Sequence, residues 1–126
     1  MSERLRVLVI DDEPLQLEML ERSLTLEGCE VKVTDAAIGA TALVRNFGPD
    51  IVLVDVNIPA LSGDKLVEIV RRHAPPSTRL ILYSACDEVK LRELALAAKA
   101  DGWLSKSIVG PDLARRLRNF VVRARA

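Results

Sequence analysis

Five side chains able to do chemistry stand directly after short apolar runs in this 126-residue chain. Asp11 and Asp12, followed by Glu13, come after Val7-Leu8-Val9-Ile10; Asp55 comes after Ile51-Val52-Leu53-Val54; Ser84 follows the run ending at Tyr83; Lys106, preceded by Ser105, follows Gly102 to Leu104. If these ends meet, three carboxylates, one hydroxyl and one ammonium share a pocket. Crowded carboxylates repel one another, and a cation relieves that field. An all-oxygen donor set without imidazole or thiolate favours a hard ion, and Mg²⁺ is ordinarily held by one or two carboxylates with waters and a substrate phosphate. Such a centre seats a phosphoryl group, with Lys106 offering a point charge to one of its oxygens and Ser84 a hydroxyl to another. Asp55, alone at the end of a central strand, is the natural nucleophile.

The elements between these residues supply the means of bringing them together. Arg4 to Ile10 ends in an unbroken apolar run, as in a strand covered on both faces, and Pro14 then opens a helix in which Leu17, Leu20 and Leu24 recur until Gly28. Cys29 to Thr34 alternates apolar and polar residues, which predicts a strand at a sheet edge. A helix over Ala36 to Phe47 stops at Gly48-Pro49 before the central strand Ile51 to Val54. The turn-rich segment Asn57 to Gly63 leads to a helix marked by Leu66, Ile69, Val70 and His73, broken by Pro75-Pro76. A strand over Arg79 to Tyr83, a helix marked by Leu91, Leu94, Ala95 and Ala98, a short strand Gly102 to Leu104 and a last helix carrying Leu113, Leu117, Phe120 and Val121 complete the pattern. Strict alternation with short connections requires parallel strands and right-handed crossovers. The expected fold is a three-layer α/β sandwich, a (βα)5 doubly wound parallel sheet of flavodoxin-like order 2-1-3-4-5. Residues just after the strands then converge at one sheet edge, where such folds bind ligands.

Composition narrows the function. Eighteen basic side chains balance eighteen acidic ones, which argues against a surface built to neutralise many nucleic-acid phosphates. The apolar runs are too short to span a bilayer or act as a signal sequence, so a cytoplasmic location is expected. Cys29, Cys86 and the single histidine do not make a zinc site or a disulfide framework.

With its motifs in place, the chain resembles the receiver domain of two-component response regulators over essentially its whole length, 1–126. Asp11-Asp12 resembles the family's metal-binding acids, Asp55-Val56-Asn57-Ile58-Pro59 with Gly63 its phosphoacceptor segment, Ser84-Ala85 its hydroxyl and small-residue positions, Lys106 its lysine and Trp103 its aromatic switch. The resemblance implies that Asp12 and Asp55, with the backbone carbonyl of Asn57, ligate Mg²⁺, while Asp11 acts mainly through water. It implies phosphoryl transfer from a phosphohistidine on a histidine kinase or phosphotransfer protein to Asp55, and assistance in removing that phosphate. By the same resemblance, phosphate on Asp55 draws Ser84 inward, Trp103 rotates into the vacated space, and the face of the fourth helix, fifth strand and fifth helix turns toward a downstream protein. A homodimer is a further open outcome. Asn57 and Cys86 flank the path of the attacking water. The chain would then be a signalling phosphoacceptor rather than an enzyme, without direct contact to nucleic acid or membrane. Three positions depart from the usual pattern: Ser107 stands where proline commonly follows the lysine, Trp103 where tyrosine or phenylalanine is usual, and Ser84 where threonine is usual. A serine after Lys106 favours a trans bond and a different aim for the lysine.

Simpler roles compete. Asp11 and Asp12 suit the cap of the following helix, worth about 0.3–1 kcal/mol each. Trp103 suits an ordinary packed aromatic as well as a switch. His73 suits the cationic end of its helix beside Arg71 and Arg72, and the arginines of the last helix suit a solvated face. Among other functions, a pseudo-receiver would keep fold and acids but signal without phosphorylation. A haloacid dehalogenase-type phosphatase needs an aspartate where Asn57 stands, an FMN site would be repelled by Asp11-Asp12-Glu13, and no P-loop motif occurs. With no effector segment after the last helix, output through protein contacts is expected, from a stand-alone regulator or from a receiver excised from a longer protein.

Overall fold

The computed structural model describes residues 4–35, 37–56, 63–85 and 87–125, the side chains of 37, 38, 63, 64 and 122–125 excepted. Five strands and five helices alternate: β1 Arg6–Ile10, α1 Pro14–Leu26, β2 Glu30–Thr34, α2 Ala37–Phe47, β3 Ile51–Asp55, α3 Gly63–His73, β4 Arg79–Ser84, α4 Glu88–Ala98, β5 Gly102–Ser105 and α5 Gly110–Arg125. All pairings are parallel and the strand order is β2-β1-β3-β4-β5, the doubly wound arrangement expected. Side chains alternate across the sheet, so each inner strand feeds two cores. Val7, Val9, Ile51, Leu53, Ile81 and Tyr83 pack with α1 and α5, whereas Leu8, Ile10, Val52, Val54, Leu80 and Leu82 pack with α2, α3 and α4. Each fully buried aliphatic contributes about 1.5–3 kcal/mol, which explains why the inner strands read as unbroken apolar runs. β2, paired only to β1, keeps exposed Glu30 and Lys32 and lies at the edge as its alternation indicates.

Several boundaries shift for local reasons. Exposed Arg6 opens β1, two residues later than expected, its N–H donating to the Asp50 carboxylate at 3.0 Å. Cys29 belongs to the end of α1 rather than to β2: its N–H reaches the Leu24 carbonyl at 3.0 Å and that of Gly28 the Thr25 carbonyl at 3.0 Å. This double closure requires the left-handed backbone that Gly28 adopts at φ 87°. β5 runs one residue further, because Ser105 pairs with Ser84. Leu94 sits at the exposed border of α4, whose buried residues are Leu91 and Ala95. Residue 36, the expected start of α2, lies outside the described residues.

Candidate functional site

The sheet's registers carry the five reactive residues to one edge. Ile10 pairs with Val54, so Asp11 and Asp55 end adjacent strands, and the Asp11 N–H extends the ladder to the Thr34 carbonyl at 3.2 Å. Asp55 pairs with Tyr83 and Ser84 with Ser105, while the Lys106 N–H donates to the Ser84 carbonyl at 2.9 Å. Lys106 thus leaves β5 two strand positions from β3. Two strand spacings of about 4.8 Å make about 9.6 Å, a gap closed by the lysine stem and the aspartate side chains reaching toward one another. Its ammonium lies 2.9 Å from Asp11 Oδ2 and 3.6 Å from Asp55 Oδ1.

One carboxylate oxygen from each of Asp11, Asp12 and Asp55 falls within 4.8 Å of the others. Asp11 is 1% exposed, Asp55 6% and Ser84 1%, whereas Asp12 is exposed and forms the open side. Asp11 is held at both oxygens, Oδ1 accepting from the Glu13 N–H at 3.0 Å and Oδ2 from Lys106. The capping alternative is not what the structure contains: the N-cap of α1 is Glu13, without a side-chain cap hydrogen bond. Burial pushes the Lys106 ammonium down, but the Asp11 hydrogen bond and the charges of Asp55 and Asp11 outweigh it and hold its pKa above the ordinary lysine value. The peptide bond to Ser107 is trans, as the missing proline suggests, and Lys106 in this conformation reaches both carboxylates.

The remaining candidates separate. Trp103 is half-buried against the α2–α4 side of the sheet, in a shallow cleft with Leu104, Arg116 and Phe120. Asn57 and Cys86 lie outside the described residues. His73, at the far end of α3, lies 2.9 Å through Nδ1 from the Arg45 guanidinium, which can only donate, and shares the last turn of its helix with Arg71 and Arg72. On α5, Arg115, Arg116 and Arg118 are exposed as a solvated face requires, Arg115 and Arg116 pairing with Asp112 and Arg118 donating to the Glu27 carbonyl, while the side chains of Arg123 and Arg125 lie outside the described residues.

Two features of the site escape the sequence reading. One is that the lysine's shorter contact is to Asp11. The other is Tyr83, whose buried hydroxyl donates to the Ile108 carbonyl at 3.0 Å; burial, reinforced by the Asp11 charge, pushes the phenol up to about 12. The available signal was a polar aromatic closing the otherwise aliphatic run Leu80-Ile81-Leu82.

The chain is 34% identical over 120 residues to the response regulator MprA of Mycobacterium sp. (strain KMS), covering 94% of this chain and 51% of that protein. It is 37% identical over 118 residues to the positive alginate biosynthesis regulatory protein of Pseudomonas aeruginosa, covering 90% and 46%. It therefore spans about half the length of the curated relatives it matches. In fold it is similar to a CheY-like response regulator receiver domain protein from Methanospirillum hungatei, with a TM-score of 0.84, 23% identity and 98% of each chain covered. A family model for the response regulator receiver domain matches residues 7–118, and with the fold and the acidic edge already in place, the chain belongs to the receiver domains of two-component response regulators.

Proposed function

We propose that this domain accepts a phosphoryl group on Asp55 from a phosphohistidine of a histidine kinase or phosphotransfer protein. The observation that carries the reading is the Lys106 ammonium lying 2.9 Å from Asp11 and 3.6 Å from Asp55 beside three clustered carboxylates. In the transfer, an Asp55 carboxylate oxygen attacks phosphorus in line, the new O–P bond forms as the P–N bond breaks, and the imidazole leaves with the electron pair. Lys106 is positioned to offset charge on a phosphoryl oxygen, and Ser84, at the end of β4, offers a hydroxyl to another. Asp11 holds Lys106 and is itself fixed by the Glu13 N–H, so the cation is set in place before the reaction.

Oxygen donors from three carboxylates within 4.8 Å fit a hard divalent ion. Asp12, Asp55 and Asp11, with the Asn57 carbonyl, would hold Mg²⁺, which when bound supplies positive charge beside the phosphoryl oxygens. The same Lys106 supports hydrolysis of the product, in which water attacks phosphorus as the Asp55 O–P bond breaks and the carboxylate and inorganic phosphate are released, so the domain assists its own dephosphorylation. Ser84 and Trp103 are read as the switch that couples Asp55 to the α4–β5–α5 face, where a downstream protein or a second copy docks.

Incubation with acetyl phosphate, with and without Mg²⁺, followed by intact-mass measurement tests the reading. One added phosphoryl group is expected in the unaltered chain with Mg²⁺, and none in Asp55→Ala. Labelling that survives loss of Asp55, or that ignores the metal, rejects it; a chain never labelled but still binding its partner is a pseudo-receiver.

A further inference from the structure

Lys106 sits in a turn whose far end is bound by Tyr83. Ser105 to Ile108 form that turn, closed by the Ile108 N–H on the Ser105 carbonyl at 3.0 Å, with Lys106 and Ser107 at its centre. Its near end is fixed by β5: Ser105 pairs with Ser84, and the Lys106 N–H binds the Ser84 carbonyl at 2.9 Å. Inside the turn, the Ser107 N–H donates to Ser105 Oγ at 3.2 Å and the two hydroxyls lie 2.9 Å apart, a local brace at the position where the family usually places a proline. The far end is tied through the Ile108 carbonyl, which accepts from the Tyr83 hydroxyl at 3.0 Å. Tyr83 is 1% exposed and packed in the core under α1 and α5, so its ring is a rigid post. The last two residues of β4 therefore grip the turn at both ends, Ser84 through its carbonyl and Tyr83 through its phenol.

We propose that Tyr83 is a positioning residue for Lys106: its hydroxyl, by holding Ile108, keeps the lysine's ammonium aimed between Asp11 and Asp55. The catalytic consequence rests on the phosphoacceptor reading; the positioning itself does not. An aromatic that only fills the core would leave Lys106 undisturbed when the hydroxyl alone is removed.

Tyr83→Phe keeps the ring and deletes the tie. Its labelling by acetyl phosphate with Mg²⁺ is expected to slow about five-fold, the scale of one misplaced charge-bearing group. In a Lys106→Ala background the same substitution is expected to change the rate no further, while its effect on the denaturation midpoint persists in both backgrounds. An unchanged rate in Tyr83→Phe, or an equal slowing with and without Lys106, overturns the proposal. A second readout needs no phosphoryl transfer: the ¹⁵N-detected ammonium signal of Lys106, identified by its absence in Lys106→Ala, is expected in the unaltered chain and lost to solvent exchange in Tyr83→Phe. Its retention in Tyr83→Phe overturns the positioning. A chain that is never labelled yet loses this signal on removal of the hydroxyl upholds Tyr83's role and rejects the phosphoacceptor reading instead.

Discussion

Replacing Lys106 by methionine keeps most of the apolar stem and removes the charge, so it isolates what the ammonium does among the acids. At an effective dielectric constant of about 20, contacts of this length correspond to about 5 kcal/mol of attraction apiece before desolvation is subtracted. The side chains of Asp11 and Asp55 are 2% and 7% exposed and that of Lys106 is 18% exposed, so most of the site lies out of water. Removing one partner of a buried pair costs about 3–5 kcal/mol, because the other is left uncompensated. The lysine's partial exposure brings the expectation for Lys106→Met to about 2–3 kcal/mol. For a domain of this size that is a fall in melting temperature of about 8–11 °C.

Calorimetric melts in EDTA and in MgCl₂ would read the effect, and a second substitution makes its sign diagnostic. Asp11→Asn should destabilise the unaltered chain, where it removes the lysine's shorter contact. In the Lys106→Met background it should stabilise, where it removes an orphaned buried carboxylate and leaves an amide oxygen for the Glu13 N–H. Mg²⁺ should raise the melting temperature of Lys106→Met by more than it raises that of the unaltered chain, since it replaces the only ammonium found against these carboxylates among the described residues. If Lys106→Met melts within about 2 °C of the unaltered chain without divalent ion, or Asp11→Asn has the same sign in both backgrounds, the electrostatic account of the site is wrong.

Two further outcomes follow from the core around the site. The Tyr83 phenol is raised from 10.0 to about 12 by burial and then by the Asp11 charge. The stability from keeping it protonated is therefore complete below pH 10 and lost as pH climbs through 12. Urea titrations across that window should show about 1–2 kcal/mol more alkaline loss in the unaltered chain than in Tyr83→Phe, and parallel curves would refute the assignment. Gly102→Ala would place a methyl group 2.5–2.6 Å from the Phe120 ring and 3.4 Å from Ile81, a cost of about 1–3 kcal/mol measurable by denaturation. Phe120→Leu in the same chain should recover part of that loss, and a neutral Gly102→Ala would show that the α5–sheet contact is looser than its geometry.

How much of this was legible beforehand depended on whether the signal lay along the chain or across it. β1, β3 and β4 announce themselves because a strand covered on both faces must be apolar throughout, and β2 does so because one neighbour leaves it half-wet. Once the strands are parallel, Asp11, Asp55, Ser84 and Lys106 share an edge without any side-chain argument. Helix caps were less legible: a pair of aspartates before Pro14 suits a cap, yet Glu13 occupies that position while Asp11 turns back to its N–H and onto Lys106. No periodicity encodes a contact between residues 95 positions apart, nor one between a phenol in β4 and a carbonyl beyond β5.

The edge also contains more charge than folding asks for. An Asp11–Lys106 pair would by itself satisfy both charges. Asp12 and Asp55 add two further carboxylates to a cluster in which all three have oxygens within 4.8 Å of one another, and the Lys106 ammonium lies against Asp11 and Asp55. That excess raises the repulsion to be offset and lowers the stability of the isolated fold, a cost a purely structural network has no reason to retain. A site built to take up additional positive charge and hold a phosphoryl group beside it does have such a reason. Neutralising Asp12, the exposed member, should therefore raise stability in metal-free buffer while abolishing the metal's stabilising effect, two opposite consequences that a structural role for Asp12 could not produce together.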